Sequence, residues 1–476
     1  MSHFDFAGNL AYLPRRRGAG SAPLVISEKA TGSILAEIPT ADEDEIATSL
    51  NAAAEGSVDP PAPYERFEIL RRTRDLVAAH EEELVDLHTR ETGFTSGESR
   101  SDVRRTMETL LVAAEEAKRI VGEVVPVDGA RGQEQRFALT MRRPLGIVFA
   151  VTPFNSPLNT VAHKVAPAVA AGNAVILKPS SVTPLSALAL RQLMVEAGLS
   201  VHLLNVLVGS APQISDRVLS DQRVRFLAFT GSTEVGRKLQ LLAGLRRSQM
   251  ELGNISITLV CDDADVASVA SEVAKAGYRK AGQVCTSVQR LLVHKSLVAE
   301  VLAALGESVS QLVVGDPFDE EVDMGPMISE REAKRVEDWV LEAVKSGAKT
   351  ETPIDRDGSF LQPVVVSGAP RDARILKQEV FGPVVTVEAF QEFEEAIDTI
   401  NDLPYGLAAG LYTSDWRRTL RAAREIRVGV LQVGRTSSSR VDLMPYGGLG
   451  DSGFGKEGPK YAIKEMSEET LVVLNP

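Results

Sequence analysis

The chain has 476 residues, of which 44% are hydrophobic and 25% charged, and its formal net charge is −13. This length is too great for one hydrophobic core, so we expect two large domains. The acidic balance argues against nucleic-acid binding, which needs Lys and Arg clustered on one face, and no nucleic-acid partner is expected. Two cysteines are too few for a disulfide framework.

Targeting signals are the next feature. Residues 1–20 contain no apolar core of signal-peptide length, and no apolar run in the chain reaches membrane-spanning length. We interpret Arg15, Arg16 and Arg17 as a solvated cluster, since no hydrophobic run follows them. The expected protein is therefore cytoplasmic and has no membrane partner.

The first third of the chain predicts two short strands, at 24–26 and 34–38, and then helices. A helix is expected over 42–54. Apolar residues at helical spacing predict one long helix over 64–89 and a further helix that Ser101 caps.

Residues 122–143 predict a β-hairpin, with Gly129 and Gly132 in its turn. A hairpin of two strands is only marginally stable alone. It is either an arm that pairs with another subunit or an ordinary surface hairpin, and its residues by themselves favour the second. The C-terminal run 470–474 predicts a strand that pairs with another edge, such as the hairpin of a neighbouring subunit.

From residue 145 onward, strands and helices alternate. The run 145–152 is almost continuously apolar, as a strand buried on both faces should be. Further strands are expected at 173–177, 203–208 and 224–229, and the alternation continues over 254–433. This order predicts right-handed crossovers and doubly wound parallel sheets, with ligands beyond the carboxyl ends of the strands.

Polar residues follow several of these strands. Lys178 comes directly after an apolar run and suits a ribose or a phosphate, although a surface lysine is an equal alternative. The segment 230–236 opens a helix with Gly231 and Ser232. Its free N–H groups favour a phosphate, and a plain helix cap explains it as well.

Cys285 is the candidate nucleophile. It lies among the small and polar residues 282–287, in an expected loop before an apolar strand at 291–294. A thiolate attacks carbonyl carbon readily, but most unpaired cysteines are simply buried, so the residues alone leave both interpretations open. Cys261 ends a strand and is interpreted as structural.

Eight stretches, in order and over almost the whole chain, resemble the aldehyde dehydrogenase superfamily. They are 153–155 (Pro-Phe-Asn), 177–180 (Leu-Lys-Pro-Ser), 229–236 (Phe-Thr-Gly-Ser-Thr-Glu-Val-Gly), 251–253 (Glu-Leu-Gly), 282–285 (Gly-Gln-Val-Cys), 379–384 (Glu-Val-Phe-Gly-Pro-Val), 405–407 (Tyr-Gly-Leu) and 445–448 (Pro-Tyr-Gly-Gly).

The resemblance implies an α/β fold of two doubly wound, Rossmann-like domains and a small β-arm for oligomerisation. The dinucleotide-binding domain would comprise 1–121 and 144–252, and the catalytic domain 253–448. The oligomerisation arm and the C-terminal strand would be 122–143 and 449–476. Because members of this superfamily are usually dimers or tetramers, a homodimer or homotetramer is expected.

The resemblance also implies a mechanism. Cys285 would attack the aldehyde carbon and form a thiohemiacetal, whose oxyanion would accept from the Asn155 amide and the Cys285 backbone N–H. Hydride transfer to NAD or NADP would leave a thioester, and Glu251 would activate water as the general base. The expected product is a free acid, because members that pass the acyl group to coenzyme A usually lack this glutamate.

The implied cofactor is NAD or NADP, and no metal ion is implied. Glu379 would hold the nicotinamide ribose, with Phe381 and Phe154 near the ring. The residues implied for the remainder of the cofactor are Lys178, Ser181, Gly231 and Ser232. Ser181 stands where NAD-preferring members often carry Glu, which would repel a 2′-phosphate, so we expect that NADP is accepted. Asn254 stands where many members have Gly.

The segments 102–105, 113–120 and 440–446 resemble the branch that acts on small oxygenated or anionic aldehydes. That branch comprises the lactaldehyde, phosphonoacetaldehyde and non-phosphorylating glyceraldehyde-phosphate dehydrogenases. Arg105, Arg435 and Arg440 lie on segments that border the substrate entrance in this superfamily. Each would bind an anionic group, or is a solvated surface arginine.

Other functions stay open at this point. They are a coenzyme A-acylating enzyme, a dehydrogenase of aromatic aldehydes or semialdehydes, and a catalytically silent binding protein. The last is disfavoured because Cys285, Asn155 and Glu251 are all present.

Overall fold

The structure, a computed structural model, describes residues 22–475. Its strands are β1 (Leu24–Ser27), β2 (Ile34–Ile38), β3 (Val124–Val125), β4 (Phe137–Pro144), β5 (Ile147–Val151), β6 (Ala174–Lys178), β7 (Leu204–Val206), β8 (Val224–Thr230), β9 (Arg247–Glu251), β10 (Ile257–Val260), β11 (Arg290–His294), β12 (Lys349–Thr350), β13 (Arg356–Asp357), β14 (Phe360–Leu361), β15 (Val364–Ser367), β16 (Val384–Phe390), β17 (Ala408–Tyr412), β18 (Val430–Val433), β19 (Gly453–Phe454) and β20 (Ser467–Leu474).

The helices are α1 (Glu43–Gly56), α2 (Pro63–Ala79), α3 (Glu81–Thr92), α4 (Ser96–Ala117), α5 (Asn159–Ala171), α6 (Leu185–Glu196), α7 (Ala211–Ser220), α8 (Thr233–Ala243), α9 (Val266–Tyr278), α10 (Val298–Ser310), α11 (Glu330–Lys345), α12 (Arg374–Lys377), α13 (Phe393–Asn401), α14 (Trp416–Glu425) and α15 (Pro459–Glu465). None of those in residues 22–475 is long and apolar enough to cross a bilayer.

Two large sheets form the frame of the molecule. One has the strand order β19-β9-β8-β5-β6-β7, and the other β12-β15-β16-β11-β10-β17-β18. The central pairs are parallel, for example β5 with β6 and β8, and β10 with β11 and β17. Helices connect the parallel strands, so the predicted α/β fold with doubly wound sheets is confirmed.

Each large sheet has its own hydrophobic core. Every residue of β5 and β6 is buried, which explains their almost uninterrupted apolar sequences. A second cluster packs α9, α10 and α11 around the seven-stranded sheet. The division of the chain at the predicted domain boundaries stays a prediction. β19, which follows the predicted catalytic domain in the chain, pairs with β9 of the six-stranded sheet.

A three-stranded sheet joins the predicted hairpin to the C-terminal strand, in the order β20-β4-β3. β20 runs antiparallel to β4 of its own chain, from Ser467 opposite Pro144 to Leu474 opposite Phe137. The predicted pairing of the C-terminal strand with another edge is therefore confirmed, and that edge belongs to the chain's own hairpin rather than to a neighbouring subunit's.

Two predicted helices begin or end elsewhere. The long helix expected over 64–89 is two helices, because His80 leaves the helical conformation with φ −113° and ψ 28°. α4 begins at Ser96 rather than after Ser101. Thr95 accepts from the Glu98 N–H at 3.3 Å, and Glu98 accepts from the Thr95 N–H at 3.0 Å. This capping box fixes the start of the helix.

β9 is a strand that the sequence does not indicate, because Arg247, Ser248 and Gln249 are polar. Gln249 is nevertheless fully buried. Its burial is compensated because its side-chain amide accepts from Lys164 Nζ at 2.8 Å and donates to the Lys456 carbonyl. The strand matters for the site because it places Glu251 at the carboxyl edge of the six-stranded sheet.

Candidate active site

A cavity of about 370 Å³ lies beyond the carboxyl ends of β5, β8 and β9. The segment Pro153–Asn155 follows β5, Gly231 and Ser232 follow β8, and Glu251 ends β9. Arg279 and Cys285 also line the cavity. The sheet edge that the alternating pattern predicted as the ligand site is thus the edge on which this cavity lies.

The segment that leads to Cys285 has an unusual backbone. Lys280 and Ala281 have φ values of 54° and 52°, in the left-handed region. Gly282 follows at φ 68°, and a Cβ there would lie 2.0 Å from the Gly382 carbonyl oxygen, so only glycine fits. Left-handed backbone at two non-glycine residues is costly and persists only where surrounding contacts hold it.

Cys285 is half-buried, and its Sγ lies 3.2 Å from the Tyr446 hydroxyl oxygen. Burial raises the pKa of the thiol, while the Tyr446 hydrogen bond and the Arg440 charge lower it. The net direction is upward, so the resting group is a thiol. The backbone carbonyl of Cys285 accepts hydrogen bonds from Asn254 Nδ2 at 3.2 Å and from Ser256 Oγ at 3.1 Å. Asn254 therefore supports this loop where many family members have Gly.

Asn155 is held against the same loop. Its side-chain Nδ2 donates to the Gln283 backbone carbonyl at 2.8 Å, and its backbone carbonyl accepts from Lys280 Nζ at 2.9 Å. Gln283 Nε2 donates in turn to the Lys280 carbonyl at 3.0 Å. Since an amide carries two N–H groups, one of those on Asn155 remains to donate to a ligand.

Lys280 is anchored by a buried carboxylate on α4. Its Nζ lies 3.4 Å from Asp102 Oδ1, and Asp102 also accepts from Ser156 Oγ and the Asn159 N–H. His88 Nε2 lies 3.1 Å from Asp102 Oδ2. Sequence analysis missed Lys280 and Asp102 as site residues. The available signal was a lysine five residues before the candidate nucleophile.

Glu251 is 3% exposed, and neither of its carboxyl oxygens has a hydrogen-bond partner within residues 22–475. Burial and the neighbouring Glu457 raise its pKa well above the usual value. An unpaired buried carboxyl costs free energy, and such groups concentrate at functional sites.

Glu457 has the opposite character. It pairs with Lys164 Nζ at 2.8 Å and with Arg440 Nη2 at 2.9 Å. Burial alone would raise its pKa, but these two cations outweigh burial and hold the pKa well below its usual range. Glu457 is therefore a permanent anion beside Glu251, and this charge favours the neutral form of Glu251.

The three predicted arginines have different positions. Arg105 lines the cavity but is engaged by Asp442, with Nε–Oδ2 at 3.1 Å and Nη2–Oδ1 at 2.7 Å. Arg440 lines it too and is engaged by Glu457. Arg435 is not brought to the cavity, because its side chain is 65% exposed and lies 3.4 Å from Glu272.

Arg279 is a cavity residue that sequence analysis missed. It lies six residues before Cys285 and lines the same cavity. Within residues 22–475 its guanidinium has no carboxylate at ion-pair distance and no hydrogen-bond acceptor. Burial, and then the Arg105 charge, lower its pKa, whereas the Glu98 charge raises it.

Comparisons with known proteins agree with this geometry. The model of the aldehyde dehydrogenase family matches residues 18–472. The chain belongs to the aldehyde dehydrogenase family. It is an NAD(P)-dependent oxidoreductase that acts on an aldehyde, and the predicted resemblance is confirmed.

Relatives within the aldehyde dehydrogenase family cover nearly the whole chain. The 3-sulfolactaldehyde dehydrogenase of Priestia aryabhattai is 47% identical over 450 residues, 94% of each chain. The lactaldehyde dehydrogenase of Methanococcus vannielii is 31% identical, over 94% of this chain and 96% of its own.

Solved structures of the family superpose on nearly the whole chain. Aldehyde dehydrogenase 21 from Physcomitrella patens, in complex with the reaction product succinate, superposes with a TM-score of 0.93 at 36% identity, over 96% of each chain. The glyceraldehyde-3-phosphate dehydrogenase GapN from Methanocaldococcus jannaschii, complexed with NADP, gives 0.91 at 31% identity, over 96% of this chain and 99% of that one.

The residues predicted for the nicotinamide half of the cofactor line the cavity. Phe154 and Phe381 meet edge to face, with ring centroids 5.9 Å apart. Glu379 Oε1 accepts from the Asn254 N–H at 3.1 Å, and Oε2 has no hydrogen bond within the described part of the chain. Burial raises the Glu379 pKa to about 7. An open carboxyl oxygen in the cavity wall fits a ribose hydroxyl.

The residues predicted for the other half of the cofactor lie at the ends of β6 and β8, the two strands that flank β5. Ser232 caps α8 by accepting from the Val235 N–H at 3.4 Å. Lys178 ends β6, and its Nζ donates to Ser181 Oγ at 3.0 Å. Burial lowers the Lys178 pKa to about 8. A buried lysine beside a serine, at the carboxyl edge of the sheet, fits a ribose or its phosphate.

The Lys280–Asp102 pair generates a prediction about stability. Lys280→Met leaves the Asp102 carboxylate buried without its cation, and loss of one partner of such a pair costs about 3 kcal/mol or more. We expect a lower free energy of unfolding, measured by chemical denaturation. The control is Lys275→Met, which changes an exposed lysine of α9. Equal stability of the two variants would contradict the assigned role of the pair.

Proposed function

We propose that the chain oxidises a small anionic aldehyde to the free acid, with NADP accepted as the hydride acceptor. The observation that carries this proposal is the Arg279 guanidinium, which lines the same cavity as Cys285 and has no carboxylate partner in the described residues. Arg105 and Arg440, by contrast, are each engaged by a carboxylate. A substrate anion would supply the charge that Arg279 lacks.

The relatives narrow the class of anion. One is named for 3-sulfolactaldehyde, and one solved structure contains succinate as its product. Sulfonate and carboxylate oxygens both suit the planar guanidinium fork, which binds two oxygens at once. We therefore propose 3-sulfolactaldehyde as the first substrate candidate and succinate semialdehyde as the second.

In the proposed mechanism the thiol of Cys285 loses its proton and the sulfur attacks the aldehyde carbon. The free N–H of the Asn155 amide and the Cys285 backbone N–H stabilise the resulting oxyanion, and removal of such a donor costs about 3–4 kcal/mol. Bound NAD or NADP supplies the hydride acceptor that converts the thiohemiacetal to a thioester.

Deacylation is assigned to Glu251. A carboxyl whose pKa is raised is a stronger base once it is ionised, and both Glu251 oxygens are free to accept from a water molecule. Glu251 takes a proton from water, the hydroxide attacks the thioester, and the Cys285 sulfur leaves. The nearest rival is transfer of the acyl group to coenzyme A, and product analysis distinguishes free acid from thioester.

The substrate assignment is tested by steady-state formation of reduced cofactor. The panel is 3-sulfolactaldehyde, succinate semialdehyde, lactaldehyde, propanal and benzaldehyde. Arg279→Met should lower kcat/KM for the anionic aldehydes about 10- to 100-fold, since a hydrogen bond to a charged group is worth about 1.5–3 kcal/mol. Values for the neutral aldehydes should change little.

The control for the substrate assignment is Arg435→Met, which removes an exposed arginine outside the cavity. It should leave every member of the panel unaffected. A neutral or aromatic aldehyde as the best substrate, or an equal loss for charged and neutral aldehydes in Arg279→Met, would overturn the proposal.

The cofactor preference is supported by the surroundings of Lys178. Burial is the cause of its lowered pKa, and within residues 22–475 its ammonium group has no carboxylate at ion-pair distance. Ser181, its hydrogen-bond partner, donates to the Gly209 carbonyl at 3.1 Å. A cation without an acidic neighbour suits the 2′-phosphate of NADP.

Ser181→Glu tests the cofactor preference. A carboxylate beside Lys178 would neutralise the lysine and repel a 2′-phosphate, so we expect KM for NADP to rise about 10-fold or more, while kcat with NAD is retained. Ser181→Gln is the control for steric effects, because the glutamine side chain has the size of glutamate but no charge. Unchanged NADP turnover in Ser181→Glu would contradict the proposal.

We also propose that the chain forms a homodimer or homotetramer. β20 and β18 each lie at an edge of a sheet. Phe137, Leu471 and Leu474 of the three-stranded sheet are exposed apolar residues. Open sheet edges and exposed apolar surface are features that protein interfaces cover. Sedimentation velocity measures the oligomeric state directly.

A further inference from the structure

Tyr446 is the one side chain within residues 22–475 for which the structure shows a hydrogen bond to the Cys285 sulfur, with Oη 3.2 Å from Sγ. Tyr446 is 3% exposed and lines the cavity. Its backbone is fixed by two hydrogen bonds with Glu457, one in each direction, at 3.2 and 2.6 Å. The hydroxyl is therefore held beside the sulfur by a rigid backbone.

A second contact fixes the tyrosine ring. The Arg440 guanidinium carbon lies 3.8 Å from the ring centroid, and Arg440 is itself held by Glu457 at 2.9 Å. A cation over an aromatic face is attracted by the ring, most strongly where water is excluded. The stacked arginine therefore also brings a fixed positive charge close to the sulfur.

We propose that Tyr446 is a catalytic residue whose hydroxyl donates a hydrogen bond to the Cys285 sulfur whenever that sulfur carries negative charge. This proposal rests on the proposed role of Cys285 as the nucleophile. The charge is present twice in a turnover, when the thiol has lost its proton before attack, and when the sulfur leaves the thioester.

The direction of this hydrogen bond follows from the chemistry of the two groups. A thiolate has no proton and can only accept. The phenol keeps its proton, because burial raises the Tyr446 pKa well above 10. In the resting enzyme either group can donate, whereas in the charged state the O–H must donate to sulfur.

Protons and bonds balance with the water and the NAD or NADP that the proposed function already requires. The S–H bond of Cys285 breaks, and its proton passes to solvent water. The carbon–sulfur bond then forms. On deacylation that bond breaks, and Glu251 returns to the sulfur the proton that it took from water. Tyr446 keeps its O–H bond throughout, so it stabilises charge and transfers no proton.

Several charged groups act on the Cys285 sulfur together. Burial and the Glu379 and Glu251 charges raise the pKa of the thiol, whereas the Tyr446 hydrogen bond and the Arg440 charge lower it. Arg279 also acts on the thiol, since the Cys285 charge raises the Arg279 pKa. Removal of the Tyr446 hydroxyl leaves all the full charges in place, so the resulting change reports the hydrogen bond alone.

Tyr446→Phe is the test, because it removes one oxygen and keeps the ring on which Arg440 stacks. The readout is the pH dependence of Cys285 alkylation by iodoacetamide in the free enzyme, followed by peptide mass. We expect the midpoint to rise by about one pH unit, and the rate near pH 7.5 to fall about 10-fold. With the best aldehyde of the panel, kcat/KM should fall about 10-fold as well.

Tyr461→Phe is the matched control, since Tyr461 lies on α15 outside the cavity lining. It should leave the alkylation midpoint and kcat/KM unchanged. An unaltered alkylation midpoint in folded Tyr446→Phe, as judged by its melting temperature, would overturn the proposal.

The alkylation assay separates this proposal from the proposed function. Alkylation needs no aldehyde and no cofactor, so the shift tests the Tyr446 contact even where the substrate assignment fails. Cys285→Ser tests the role of the nucleophile itself. If that variant retained full turnover, the proposed function and the catalytic role of Tyr446 would both be wrong, whatever the alkylation midpoint.

Discussion

The candidate site depends on one buried ion pair, between Lys280 and Asp102. The left-handed backbone at Lys280 and Ala281 is unfavourable in itself, and it directs the chain toward Cys285. Lys280 Nζ joins that segment both to α4, through Asp102, and to the Asn155 carbonyl. A single side chain therefore links the loop of the candidate nucleophile to the candidate oxyanion donor, and both acquire fixed positions from it.

Most of the charged side chains discussed around the cavity are paired with an opposite charge, and two are not. Glu457 is held as an anion by Lys164 and Arg440, and Arg105 is matched by Asp442. Glu251 has no hydrogen-bond partner in the described chain, and burial and the Glu457 charge raise its pKa. Arg279 is the cation left without a carboxylate among the described residues. The protein thus provides, in the lining of one cavity, one group suited to exchange a proton and one suited to bind an external anion.

The sequence predicted those parts of the fold and site that local patterns encode. Alternating strands and helices indicated the doubly wound sheets and the edge where the cavity lies, and ordered motifs indicated Cys285, Asn155 and Glu251. It did not indicate β9, because the burial of Gln249 depends on Lys164 and Lys456. Tyr446 and Cys285 meet across 161 residues, and such contacts have no signal in local spacing. Arg279 was missed because its role is inferred from the absence of a carboxylate partner among the described residues, and such an absence is visible only in the folded structure.

The central claim is that Cys285 carries the acyl group and that Glu251 releases it. The most direct measurement is the intact mass of a Glu251→Gln variant after reaction with the best aldehyde and NADP. The account predicts a stable increase equal to one acyl group, which maps to Cys285 and is absent from Glu251→Gln/Cys285→Ser. An adduct on another residue, or turnover as fast as that of the unaltered enzyme, would contradict it.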